Sequence, residues 1–115
     1  MSDKELLELA AKAAGIELEW PQDYGGADHL SPHDTSTRQI WNPLTDDGDA
    51  LRLAVKLNIE FACFDDSQKV NAGVWSEDSK PYDCMTPYNG DKQAATRRAI
   101  VRAAAEIGKS NHGDK

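Results

Sequence analysis

The sequence has no glycine-rich phosphate loop, no closely spaced cysteine pair and no long apolar run, and each absence removes a class of function. Neither G-x-G-x-x-G nor G-x-x-x-x-G-K followed by Ser or Thr occurs, so nucleotide hydrolysis of the P-loop kind is excluded. A membrane-spanning helix needs about 20 consecutive apolar residues, and nothing here approaches that. Charges interrupt the opening MSDKELLELAAKAAG where a secretory leader carries its apolar segment, so the expected location is the cytoplasm. Basic residues are also scarce. With 13 Lys and Arg against 20 Asp and Glu, the net charge is -7, and nucleic acid is not an expected partner, because its binding draws on counterion release by clustered cations.

Only two cysteines are present, and they lie in different surroundings. Cys63 sits inside IEFACF, where a thiol behaves as a small buried apolar side chain, and Cys84 lies in the polar stretch KPYDCMTPYNG. A reduced pair is the expectation for a cytoplasmic protein. His29 and His33 with these two cysteines would make four zinc ligands, but no C-x-x-C knuckle is present and Cys63 points into the expected core. Nothing local lowers the pKa of Cys84 for nucleophilic work with either histidine. No metal, no cofactor and no catalytic set is expected.

What is present is one domain's worth of chain, 115 residues with 39% apolar and 29% charged residues. Ser2 and Glu5 form a capping-box pattern, and the apolar positions that follow predict a helix over 3–14 that Gly15 stops. IELEW alternates as a strand with one wet face, ended by Pro21. A long loop is expected over about 21–37, and a second short strand over 38–42.

The stretch WNPLTDDGDALRLAVKL, residues 41–57, packs three acids around one glycine. A calcium loop fails on spacing: Gly48 at its sixth position would put Pro43 at the first ligand position and Ala54 at the twelfth. The acids suit a helix start, with Thr45 as N-cap and Asp46, Asp47 and Asp49 in the first turn. Only Asp49, Arg52 and Lys56 form a polar stripe, so this helix should be buried over most of its circumference. An apolar strand over 59–64, a turn at DDSQ and a returning strand over 70–75 form a hairpin. Residues 76–90 read as irregular with room for one short strand. A last helix begins at Asp91, its apolar side made of small residues that let it lie close to a neighbour, and 111–115 should fray. Residues 1–110 thus make a single α+β domain in the order helix, strand, strand, helix, strand, strand, helix.

WNPLTDDGDALRLAVKL at 41–57 and AATRRAIVRAAAEIG at 94–108, with a helix ahead of them and a hairpin between, resemble a family of small bacteriophage and prophage proteins that carry the phage ABA sandwich domain. The resemblance covers most of the chain. It implies a layered α/β/α sandwich and a phage or prophage gene product working in the bacterial host cytoplasm. That family has no established activity, so no catalytic residue is carried over.

Candidate binding residues are therefore read from side-chain chemistry. Trp20 and Trp41 bracket the long loop, Tyr24 lies within it, Trp75 closes the returning strand, and Tyr82 and Tyr88 lie in the irregular stretch after it. Large aromatics at a groove favour ligand or partner binding, although tryptophans beside strands more often serve packing. Arg97, Arg98 and Arg102, with Arg52 and Lys56 as possible additions, form the basic cluster of an acidic molecule, suited to a phosphate or an acidic surface, or to pairing with its own acids. The expectation is a non-enzymatic accessory protein binding a host or phage protein through Trp20, Tyr24, Trp41, Arg98 and Arg102. The alternative is a binder of a small phosphorylated ligand or nucleotide, and self-association through the hairpin is a further possibility.

Overall fold

The computed structural model describes residues 2–20, 31–74 and 84–110. Tyr24, His29, Trp75, Tyr82 and the 111–115 tail lie outside the described residues. The chain is α+β. Its elements are α1 (Asp3–Ala14), β1 (Leu18–Glu19), β2 (His33–Asp34), β3 (Gln39–Ile40), α2 (Asp47–Leu57), β4 (Ile59–Phe64), β5 (Lys69–Val74), β6 (Cys84–Pro87) and α3 (Lys92–Ser110). They form two three-stranded antiparallel sheets, in the orders β1-β2-β3 and β4-β5-β6. The two strands beyond the expected order are β2, inside the stretch read as loop, and β6, in the stretch where one short strand had room.

Local chemistry sets most element ends. At α1 the Ser2 hydroxyl accepts the Glu5 amide while the Glu5 carboxylate accepts the Ser2 amide, and Gly15 closes the helix in the left-handed region at φ 74°. Asn58 ends α2 in the same conformation at φ 58°. The β4–β5 hairpin turns over 65–68 as the sequence predicts, with Gln68 at φ 57°. β2 exists because Asp34 makes a tight turn after it: its carboxylate accepts the Ser36 amide at 2.9 Å and the Ser36 hydroxyl at 2.8 Å, and Arg38 reverses the chain at φ 62°. That turn brings β3 back against β2, which β1 flanks on the other side.

The core is built of small side chains. Half of the buried apolar residues among those described are alanines from α1, α2 and α3, with Leu6, Leu7, Leu53, Val70, Ile100 and Val101 among the larger members. Small residues let α1 and α3 approach closely, and at Gly108 any Cβ would overlap the Leu9 carbonyl oxygen. The other face of α3 packs on all three strands of the β4–β5–β6 sheet, so the layers run sheet, α3, α1, with α2 beside α3 and against β4.

Three expectations are corrected. Thr45 does not cap α2. The turn after Asn42 draws the Thr45 and Asp46 amides onto the Asn42 carbonyl, and Asp46 becomes the N-cap, accepting the Asp49 amide at 2.8 Å. α2 is not buried around most of its circumference. Ala50, Leu53 and Ala54 face inward, whereas Leu51 and Val55 are 58% and 68% exposed, because α3 and β4 cover only one side of the helix. β4 is not a core strand either: past Ile59 every residue is exposed, Cys63 included. It lies at the sheet's edge, and among the described residues it pairs with β5 alone.

Candidate functional site

The exposed apolar surface concentrates where α2 meets β4. Asn58 reverses the chain between them, so helix and strand run side by side in opposite directions. Successive strand residues alternate faces. The register pairs Phe61 with Ala72 and Cys63 with Val70 on the side that α3 covers, leaving Glu60, Ala62 and Phe64 on the other. Because β4 is the edge strand, its α3-facing residues overhang the helix layer, and a shallow apolar groove of 280 Å³ opens there. Leu51, Phe61, Cys63 and Ile100 supply its apolar lining, and Lys92 and Arg97 contribute their stems. Leu51 and Phe61 are 58% and 44% exposed here, Val55 is exposed one helical turn beyond Leu51, and Phe64 is exposed on the opposite face of β4. Scattered exposed apolar residues need no explanation, but a contiguous set beside an open strand edge is the ordinary composition of a docking surface.

A polar network supports the groove's far end. The Tyr88 hydroxyl donates to Asp65 at 2.8 Å, Lys92 pairs with the same carboxylate at 3.1 Å, and the Tyr88 amide donates to the Gln68 carbonyl at 2.8 Å. The Tyr88 hydrogen bond and then Lys92 hold the Asp65 carboxyl below its usual range. Burial, followed by the Asp65 hydrogen bond, pushes the Tyr88 phenol far above its ordinary value. Tyr88 thus remains a protonated donor that pins the β4–β5 turn to the start of α3.

A second, larger hollow of 620 Å³ lies between the β2–β3 turn and α2. Trp41, Arg52 and Lys56 face it together with Glu17, Asp34 and Asp49. Hydrogen bonds to Ser36 depress the Asp34 carboxyl. Asp49 is buried and already engaged, accepting the Asn42 amide at 2.9 Å and Arg52 at 2.7 Å. The acidic knot of the sequence is therefore a fastening: Asp46 caps α2, Asp47 pairs with Arg97 at 2.6 Å, and Asp49 ties the chain before the helix to its first turn.

The residues singled out from sequence do not converge. Trp41 is buried at the wall of the larger hollow, and its amide donates to the Pro32 carbonyl at 2.9 Å. Trp20 lines a separate shallow groove with Glu8 and Leu18, and the Lys4 ammonium sits 5.2 Å from its ring centre. Arg98 reaches Asp3 at 3.0 Å and so ties α3 to α1. Arg102 donates to the Met85 carbonyl at 3.1 Å and the Thr86 hydroxyl at 2.9 Å, tying α3 to β6. Arg97 also donates to the Leu44 carbonyl at 2.9 Å. Three arginines that read as one basic patch are thus three separate clamps, each fixing a different element to the central helix. Leu51, Val55 and Phe61 carried no signal as site residues, because an apolar helix face and an apolar strand read as core.

Among the described residues, no group of three or more His, Cys, Asp or Glu side chains is arranged to hold a metal ion. No described helix is long and apolar enough to cross a membrane. No protein-family model, curated protein or solved structure matches the chain.

Proposed function

We propose that this chain is a phage- or prophage-encoded accessory protein of the bacterial cytoplasm that works without catalysis, by binding a host or phage protein along the α2–β4 edge. The observation that carries the reading is the joint exposure of Leu51, Val55 and Phe61 beside a strand with one open edge. An extended partner segment laid along β4 gains main-chain hydrogen bonds from the strand and apolar contact from the helix, the usual division between affinity and specificity in strand addition. The phage origin rests on the two sequence blocks at 41–57 and 94–108.

The test is a photo-crosslinking amino acid placed at Val55 in cells expressing the protein, with Glu8 on α1 as the control position. A discrete adduct at Val55 and none at Glu8 supports the reading, and equal labelling at both positions refutes it. A second reading, binding of a small phosphorylated ligand or nucleotide, has its place in the hollow beside Trp41, Arg52 and Lys56. It ranks lower because Glu17, Asp34 and Asp49 line the same space and oppose an anion. A thermal shift with nucleotides that Lys56→Ala abolishes would reverse that ranking.

A further inference from the structure

The hollow between the β2–β3 turn and α2 sorts its charges by wall. On the strand side stand Glu17, just before β1, and Asp34 of β2; on the helix side stand Asp49, Arg52 and Lys56. Asp49 and Arg52 neutralise each other at 2.7 Å, so the helix wall is left with the Lys56 ammonium. Lys56 has no ion pair among the described residues, and its charge, after the Ser36 hydrogen bonds, helps to hold the Asp34 carboxyl below its usual range. The two charges feel each other across the space without closing it.

Bonding capacity is left over on both walls and on the ring beside them. An ionised carboxylate offers about four acceptor sites, and the two Ser36 bonds to Asp34 both fall on Oδ1. Glu17 holds the turn through its main chain, its carbonyl accepting the Thr35 amide at 3.0 Å, and the residue itself is exposed. Trp41, Ile16 and Leu53 supply the apolar part of the lining. The Trp41 side chain is buried, yet its indole N–H has no partner among the described residues and is not sealed from solvent, so the ring presents an open donor.

We propose that this hollow is a binding site for a small zwitterion of the amino-acid or short-peptide class, its ammonium taken by Asp34 and Glu17, its carboxylate by Lys56, and its apolar side chain laid against Trp41. A phosphate would meet two uncompensated carboxylates, and a simple cation would meet the Lys56 ammonium. A molecule that carries both charges meets the opposite sign at each end. The volume of 620 Å³ lies within the ordinary span of small-molecule sites, roughly 300 to 1,000 Å³. Arg52 and Lys56 each follow Leu51 and Val55 by one residue, a turn of about 100° around the helix, so this ligand and a partner on the α2–β4 edge use different faces of α2.

Heteronuclear NMR of the isotope-labelled chain tests this, with L-leucine and leucyl-leucine as the zwitterions and leucinamide and isocaproate as analogues that keep one charge each. Titrated to about 10 mM, past the millimolar affinity expected of so small a ligand, at least one zwitterion should shift the Trp41 indole N–H and the Thr35 and Ser36 amides. Each single-charge analogue should bind at least about tenfold more weakly, the worth of one charged hydrogen bond. Lys56→Met, at an exposed position, should weaken the zwitterion by a similar factor without weakening leucinamide. Tighter binding of leucine identifies a free amino acid as the ligand, and tighter binding of leucyl-leucine identifies a peptide. No shift with either zwitterion overturns the inference, as does a single-charge analogue that binds equally well or a Lys56→Met variant of unaltered affinity. The Val55 crosslink tests the α2–β4 edge separately, and neither result depends on the other.

Discussion

Asp49→Ala separates two accounts of the acidic knot. Asp49 has two partners, the Asn42 amide at 2.9 Å in a buried setting and Arg52 at 2.7 Å, whose side chain is 73% exposed. Removing the carboxylate leaves a buried amide without an acceptor, which costs about 1 to 3 kcal/mol. Losing an ion pair to so exposed an arginine costs about 0.2 to 1 kcal/mol. Asp49→Ala should therefore destabilise by about 2 to 3 kcal/mol, and Arg52→Ala by under about 1 kcal/mol. Asp49→Asn should fall between them, since an amide oxygen can still accept from Asn42. For a domain of this size the first change lowers the melting temperature by roughly 6 to 15 °C. Urea unfolding followed by circular dichroism reads the difference, with an unchanged denaturant slope as the check that the folded and unfolded states keep their extent. Equal losses in Asp49→Ala and Arg52→Ala would refute the reasoning, because the ion pair and not the buried amide would then hold the knot. An Asp49→Ala variant as stable as the wild type would show that the carboxylate has no structural task and would reopen a chemical one.

Gly108→Ala should destabilise by at least about 2 kcal/mol, since the new methyl meets the Leu9 backbone and α1 and α3 must separate; a melting temperature equal to wild type would disprove that close contact. Tyr88→Phe should lose stability at neutral pH through Asp65. The folded Asp65 carboxyl lies below its unfolded value, so its contribution is complete above about pH 5 and disappears as the pH falls through the depressed value. The stability gap between wild type and Tyr88→Phe should accordingly narrow on acidification, measured as denaturant midpoints at several pH values. Cys63 should react with a thiol reagent in the native state, read in a Cys84→Ser background, and protection comparable to a buried thiol would contradict the exposed β4.

The termini of the helices and the central hairpin were legible in the sequence because each is set by residues within a few positions of one another. Ser2 and Glu5, Gly15 and the 65–68 turn act through local backbone hydrogen bonds and left-handed conformations, which the residue types specify directly. Thr45 was misplaced as a cap by one residue because the turn that consumes it depends on the Asn42 carbonyl and side chain as well as on the helix that follows. β2 was missed because two residues carry no periodicity; its signal was the Asp34–Ser36 turn after it.

The alanine-rich composition by itself determined that α3 would pack closely, and the overlap at Gly108 is the physical consequence. Only the tertiary structure decided which apolar surfaces are covered. Leu53 and Leu51 are the same residue type two positions apart, yet one is buried and the other open, because α3 and β4 occupy a single side of α2. Likewise IEFACF is as apolar as a core strand, and its place at the edge of the sheet follows from strand order, a long-range property that no local pattern encodes. The scattering of Arg97, Arg98 and Arg102 to three partners has the same origin: a helix face can be read from sequence, but the elements that come to meet it cannot.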